Sequence, residues 1–188
     1  MPIRRKYEGW RLQERHKWEE ENRIVLTEIS TVSDSEKRLI VSSIRKLLKR
    51  FSFPVDVEVE PSDSHLAGLM REILRISSFG GVLDTDSVLA ELNKRRKVDA
   101  SLRAGIVVKV CPSEYKFRDP LAIYGIGEED GLVLLCTAHD EAVTHELGHM
   151  LGISSHCDNP NCVMRYECPS DDFCKDCTAK LRNLWSFT

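Results

Sequence analysis

The chain has 188 residues, 41% of them hydrophobic, with 27 lysines and arginines against 30 aspartates and glutamates, a net charge of −3. That length suits one domain with a core of its own, needing no disulfide staples. The charge balance argues against a broad basic surface for nucleic acid, and no run approaches the roughly 18 apolar residues of a membrane span. The start, Met1-Pro2-Ile3-Arg4-Arg5-Lys6, lacks the apolar segment of a secretory signal, so a cytoplasmic protein is expected.

Residues 1–22 are dense in charge of both signs and carry Trp10 and Trp18. They read as a charged helical extension ahead of a single domain at 23–188. Glu14 and the run Glu19-Glu20-Glu21 argue against a basic, aromatic arm for RNA. Ile24 to Ile29 reads as a first strand. Ser33 and Glu36 have the spacing of a capping box. Leu39, Ile40, Ile44, Leu47, Leu48 and Phe51 then recur at helical spacing, for a helix that buries one face. Val55 to Glu60 alternates strictly, as a half-exposed strand does. Residues 65–78 carry a mixed apolar pattern suited to a helix, and Gly80-Gly81 breaks it. Asp86 to Val98 reads as a second long helix, with Lys94-Arg95-Arg96-Lys97 at a solvated end where positive charge complements the helix dipole.

Gly105 to Cys111 is a third, mostly buried strand. Leu121 to Ile126 and Leu132 to Cys136 are two more, separated by residues 127–131. Cys111 and Cys136 read as buried small hydrophobes within strands. This order suits an α+β domain, a mixed sheet with helices on one side.

The chemistry concentrates in His145-Glu146-Leu147-Gly148-His149-Met150-Leu151-Gly152-Ile153-Ser154-Ser155-His156. Histidines four apart share one face of a helix, so His145 and His149 can take adjacent corners of one zinc tetrahedron. Glu146 falls beside the metal rather than on it. Gly152 is suited to ending the helix and turning the chain, and His156 then returns as a third ligand. Three neutral nitrogens leave one position for water, which marks a catalytic rather than a structural zinc.

Seven cysteines are present, and five fall between 157 and 177. Adjacent side chains in an extended segment point to opposite sides. His156 can therefore face the catalytic zinc while Cys157 faces away, joining Cys162, Cys174 and Cys177 around a second, closed zinc site. Two disulfides, or four reduced thiols in a small core, are the alternatives. Cys168 lies in the loop between the cysteine pairs and is left over.

The pattern His-Glu-x-x-His-x-x-Gly-x-x-x-His-Cys-x-x-x-x-Cys-x-Met, followed by Cys-x-x-Cys, closely resembles the archaemetzincins, a branch of the metzincin metallopeptidases. One more residue separates Gly152 from His156 than in the standard metzincin spacing. The resemblance implies a zincin-like α+β fold: a mixed twisted sheet with an antiparallel edge strand, an upper lobe over about 23–152, and a small zinc-stapled lower lobe over about 153–188. By order, Leu121 to Ile126 takes the place of the edge strand above the cleft. Met164 takes that of the hydrophobic floor beneath the imidazoles. Tyr166, two residues on, sits where a tyrosine faces the zinc in some metzincins, and a hydrogen bond to the oxyanion is the role it implies. The alternative is a tyrosine packed on the C-terminal helix.

The function expected is zinc-dependent hydrolysis of a peptide bond, with Glu146 as general base and acid and two zinc ions per chain. A peptide or protein substrate would dock along the edge strand, with no nucleic acid or membrane partner and a monomeric chain. The competing reading is a two-zinc peptide-binding or scaffold module with little or no turnover.

Overall fold

The computed structural model describes residues 23–29, 32–111, 114–117, 125–128, 131–166 and 170–184. The expected extension at 1–22 and Cys168 lie outside these residues, as does most of the edge strand expected at 121–126.

Strand β1 (Arg23–Glu28) is the centre of a parallel trio. It pairs with β2 (Asp56–Glu60) through Ile24 opposite Val57, and with β5 (Gly105–Lys109) through Ile24 opposite Gly105. β8 (Leu132–Leu135) continues the parallel run beside β5, and β7 (Gly125–Glu128) closes it as an antiparallel edge. The sheet order is β2-β1-β5-β8-β7. Strands buried on both faces read as continuous apolar runs, and Ile24-Val25-Leu26 and Leu132-Val133-Leu134-Leu135 do so.

Helices cover both faces of this sheet, not one side as the element order suggests. The alternation of each strand divides the core. Ile24, Leu26, Val107, Val133 and Leu135 pack with α1 (Asp34–Phe51) and α4 (Asp140–Met150). Val25, Ile106, Val108, Leu132 and Leu134 pack on the other face with α2 (His65–Ile76) and α3 (Thr85–Arg96). α1 opens with the capping box: Ser33 accepts from the Glu36 amide while Glu36 accepts from the Ser33 amide. Its apolar stripe is narrower than its sequence suggests, because Leu39 is 53% exposed.

Three further details depart from the sequence reading. Arg96 is buried rather than solvated, because its guanidinium donates to the carbonyls of Leu102 and Ala104, at the end of the following 3-10 turn (Ala100–Arg103), and of Gly131, just before β8. The edge strand runs through Gly127 and Glu128, where a turn was expected. Cys111 and Cys136 sit half-buried just beyond the ends of β5 and β8. A second small sheet, of β3 (Ser78–Phe79), β4 (Val82–Leu83) and β6 (Lys116–Phe117), has strands too short to leave a periodic signal.

Candidate metal centres

α4 presents the motif. Asp140 and Glu141 occupy its first turn, where negative charge complements the dipole. Gly152 ends it at φ 112°, a conformation that a residue with a Cβ rarely adopts, and the Gly152 and Ile153 amides close on the His149 and Gly148 carbonyls. The chain then doubles back, so that the imidazoles of His145, His149 and His156 converge. Their ring centroids lie 4.8, 5.2 and 5.1 Å apart.

Hydrogen bonding fixes which nitrogens face inward. Nδ1 of His145 donates to the Val163 carbonyl at 2.6 Å, and Nδ1 of His149 donates to the Ile153 carbonyl at 2.6 Å. A carbonyl only accepts, so each Nδ1 carries the proton and each Nε2 presents a lone pair. Those two Nε2 atoms face each other at 3.2 Å. Two neutral acceptors so placed repel unless a cation lies between them. Ligands at adjacent corners of a zinc tetrahedron, at roughly 2.0–2.1 Å from the ion, stand about 3.3 Å apart. Burial, reinforced by the neighbouring imidazoles, pushes His149 down to about 4 and also lowers His145, so both stay neutral at physiological pH.

Glu146 is buried beside them. Its carboxyl is pushed up to about 8, chiefly by loss of water, with Glu128 adding to the effect and a hydrogen bond from the Gly127 amide opposing it. That bond comes from β7, which lies directly on α4. A Cβ on Gly127 would stand 2.0 Å from the Glu146 carbonyl oxygen, and one on Gly125 would stand 3.1 Å from Glu146 Cγ. Only a strand without side chains at these two positions can approach the helix so closely. Met164 is fully buried beneath α4, and a Cβ on Gly148 would fall 2.3 Å from its sulfur. Tyr166 is 43% exposed, with its ring 4.7 Å from that of His156.

The four cysteines Cys157, Cys162, Cys174 and Cys177 form a second cluster. Cys157 and Cys174 hold their sulfurs 3.7 Å apart. A disulfide needs about 2.05 Å, whereas two thiolates on a tetrahedral zinc at roughly 2.3 Å stand about 3.8 Å apart. Amide N–H groups point at the sulfurs, from Asn159 to Cys157 and from Cys174 to Cys162. Such donors favour the thiolate. Burial pushes Cys162 and Cys177 up. In Cys174 burial acts the same way, but the Cys177 amide and the neighbouring thiols outweigh it and lower its pKa. α5 (Lys175–Leu184) carries Cys177 on its buried side.

The sequence did not point to the Val163 and Ile153 carbonyls that orient the imidazoles, or to Phe173. Phe173 packs beneath α4: a Cβ on Gly148 would lie 3.1 Å from its ring. None of these residues is chemically reactive, and backbone groups leave no mark in a motif.

A mixed sheet with an antiparallel edge strand, laid over a helix that offers two histidines to a third from the returning chain, defines a zincin-like fold. Comparison with known proteins narrows this. The model of peptidase family M54 matches residues 139–183. Two curated archaemetzincins are similar: that of Saccharolobus solfataricus is 43% identical over 49 residues, and that of Thermococcus kodakarensis 41% over 69. These stretches cover 22% and 32% of this chain and 26% and 36% of the relatives, so the matches span about a quarter to a third of their length. The crystal structure of archaemetzincin from Methanopyrus kandleri shares the fold, with a TM-score of 0.55 and 16% identity over 86% of this chain and 94% of that one. Over residues 139–183 the chain is similar to peptidase family M54, and its fold is that of an archaemetzincin.

Proposed function

We propose that the chain is a zinc-dependent metallopeptidase. The observation that carries this is the pair of unprotonated Nε2 atoms at 3.2 Å, joined by His156 and flanked by a buried carboxyl. His145, His149 and His156 would hold the catalytic ion, and Cys157, Cys162, Cys174 and Cys177 a structural one. A zinc ion at the histidines supplies Lewis acidity and a bound water with a pKa near 7.

The remaining work falls to the chain. Glu146 takes the proton of the attacking water and hands it to the leaving amine. Glu146 is buried, and a dry site strengthens every charge within it. The Gly127 amide holds the carboxyl in place. Tyr166, beside His156, donates a hydrogen bond to the carbonyl oxygen under attack. β7 pairs with β8 on one side, and its other edge receives the substrate main chain as an added strand. On this reading the docking edge is Gly125–Glu128, and residues 121–124 lie outside the described residues.

The test is cleavage of a diverse peptide library by zinc-loaded protein, with Glu146→Ala alongside. Cleavage that disappears in the variant supports a glutamate-assisted peptidase, and the cut sites separate endopeptidase from aminopeptidase action. No cleavage by protein carrying two zincs per chain would instead support the peptide-binding module. Tyr166→Phe should lower kcat about tenfold with little change in KM, and an unchanged kcat would remove Tyr166 from the reaction.

A further inference from the structure

At the opposite edge of the sheet from β7, a groove of about 650 Å³ runs between α1 and β2. Lys37, Arg38, Arg45, Lys46 and Lys49 line it, with Val41, Ser42 and Val59. Arg38, Ser42, Arg45 and Lys49 follow one another at helical spacing, so they form one stripe about 16 Å long. Lys46 is bound to Asp140, and Lys37 to Glu28 and Asp34. Arg38, Arg45 and Lys49 make no ion pair with any described residue, and all three are exposed.

The groove also has a backbone side. Among the described residues, β2 pairs with β1 alone, so its outer edge leaves amide and carbonyl groups open. Its five residues extend about 17 Å, the length of the basic stripe. Val57 packs into the core beneath α1, and Val59, on the same face, is 47% exposed in the groove. Asp56, Glu58 and Glu60 alternate to the other face. Pairing of two β2 edges from separate copies, in antiparallel register, would set these carboxylates beside one another, which disfavours self-association.

We propose that this groove docks an extended acidic segment of a partner protein, added as a sixth strand on β2. Acidic side chains of that strand lie under Arg38, Arg45 and Lys49, and the alternate positions are uncharged or basic, facing Asp56, Glu58 and Glu60. A nucleic acid fits less well. Among the described residues, no aromatic side chain lines the groove for base stacking. The site is remote from the histidine centre, so the proposal holds whether or not the chain cleaves peptides.

The probe is a fluorescent ten-residue alternating Glu-Thr peptide, titrated with the full chain and followed by anisotropy. Binding should be saturable and should weaken as salt rises. The triple variant R38E/R45E/K49E should weaken it by about tenfold or more, with a melting temperature close to the parent's. N-methylation of alternate peptide amides should abolish it. Absence of saturable binding overturns the proposal. So does equal binding by the triple variant or by the methylated peptide, or tighter binding of a ten-nucleotide single-stranded RNA.

Discussion

At the residue scale, the site depends on how closely atoms approach. Gly127→Ala would drive a methyl group into the Glu146 carbonyl oxygen, 2.0 Å away, so β7 must lift from α4. We expect a loss of several kcal/mol, by the strain typical of overpacking, and loss of activity with it. Gly68 is the control. It lies within α2, where a Cβ would meet nothing within 4 Å, so Gly68→Ala should stabilise by about 0.5–1 kcal/mol. Chemical denaturation of the two variants checks both signs. Glu146 gives a second prediction. In metal-free protein its folded pKa of about 8 lies above its ordinary 4.5, so the folded state binds the extra proton. That contribution is complete below about pH 4.5 and is lost as pH rises toward 8. His149, depressed to about 4, acts in the opposite sense, but only below about 6.5. Between pH 6.5 and 8 the loss of this contribution should cost metal-free protein on the order of 2 kcal/mol. Glu146→Gln should remove the slope, and a slope that persists would assign it to another group.

At the element scale, α1 braces the lower lobe against the sheet. Lys46 reaches Asp140 at the start of α4, and Arg50 reaches Asp172 beside the second cysteine pair. Phe51 stacks on Phe53 and meets Phe173 edge-on at 5.8 Å. The ion pairs are largely exposed, so Arg50→Ala should cost no more than about 1 kcal/mol. Phe173 is buried, and Phe173→Ala should cost about 3–5 kcal/mol and release zinc from the cysteines at lower chelator concentration. Thermal melts with zinc release in parallel compare the two. Little of this brace was legible in the sequence. The histidine and cysteine clusters were, because an i,i+4 histidine pair and Cys-x-x-Cys impose fixed spacings. Strands β1, β5 and β8 were legible too, as apolar runs, and β2 by its alternation. The edge strand was misplaced because Gly125 and Gly127 are the residues that weaken a strand pattern, and they are there to let β7 touch α4. Arg96 was misread because a charge run looks solvated until the carbonyls it satisfies are known.

At the scale of the whole molecule, the two clusters are joined by a single peptide bond, between His156 and Cys157. We expect two zincs per chain, and one in Cys174→Ser. That variant should also melt at a lower temperature and lose activity, because Cys157 no longer anchors its neighbour. An unchanged melting temperature with both metals retained would separate the centres. The energy at stake is large, since structural zinc contributes on the order of 10 kcal/mol to folding at neutral pH.

The same adjacency orders events during synthesis. Residues are added from the amino terminus, so α4 and its two histidines leave the ribosome before Cys174 and Cys177 do. The nascent chain has a helix with two of its ligands and nothing to steady the third. If the cysteines hold a zinc, His156 would be steadied only once the later pair has emerged and bound it. On the proposed function, a chain that ends before Cys174 would lack two of the four cysteines that anchor His156, and should bind neither metal firmly.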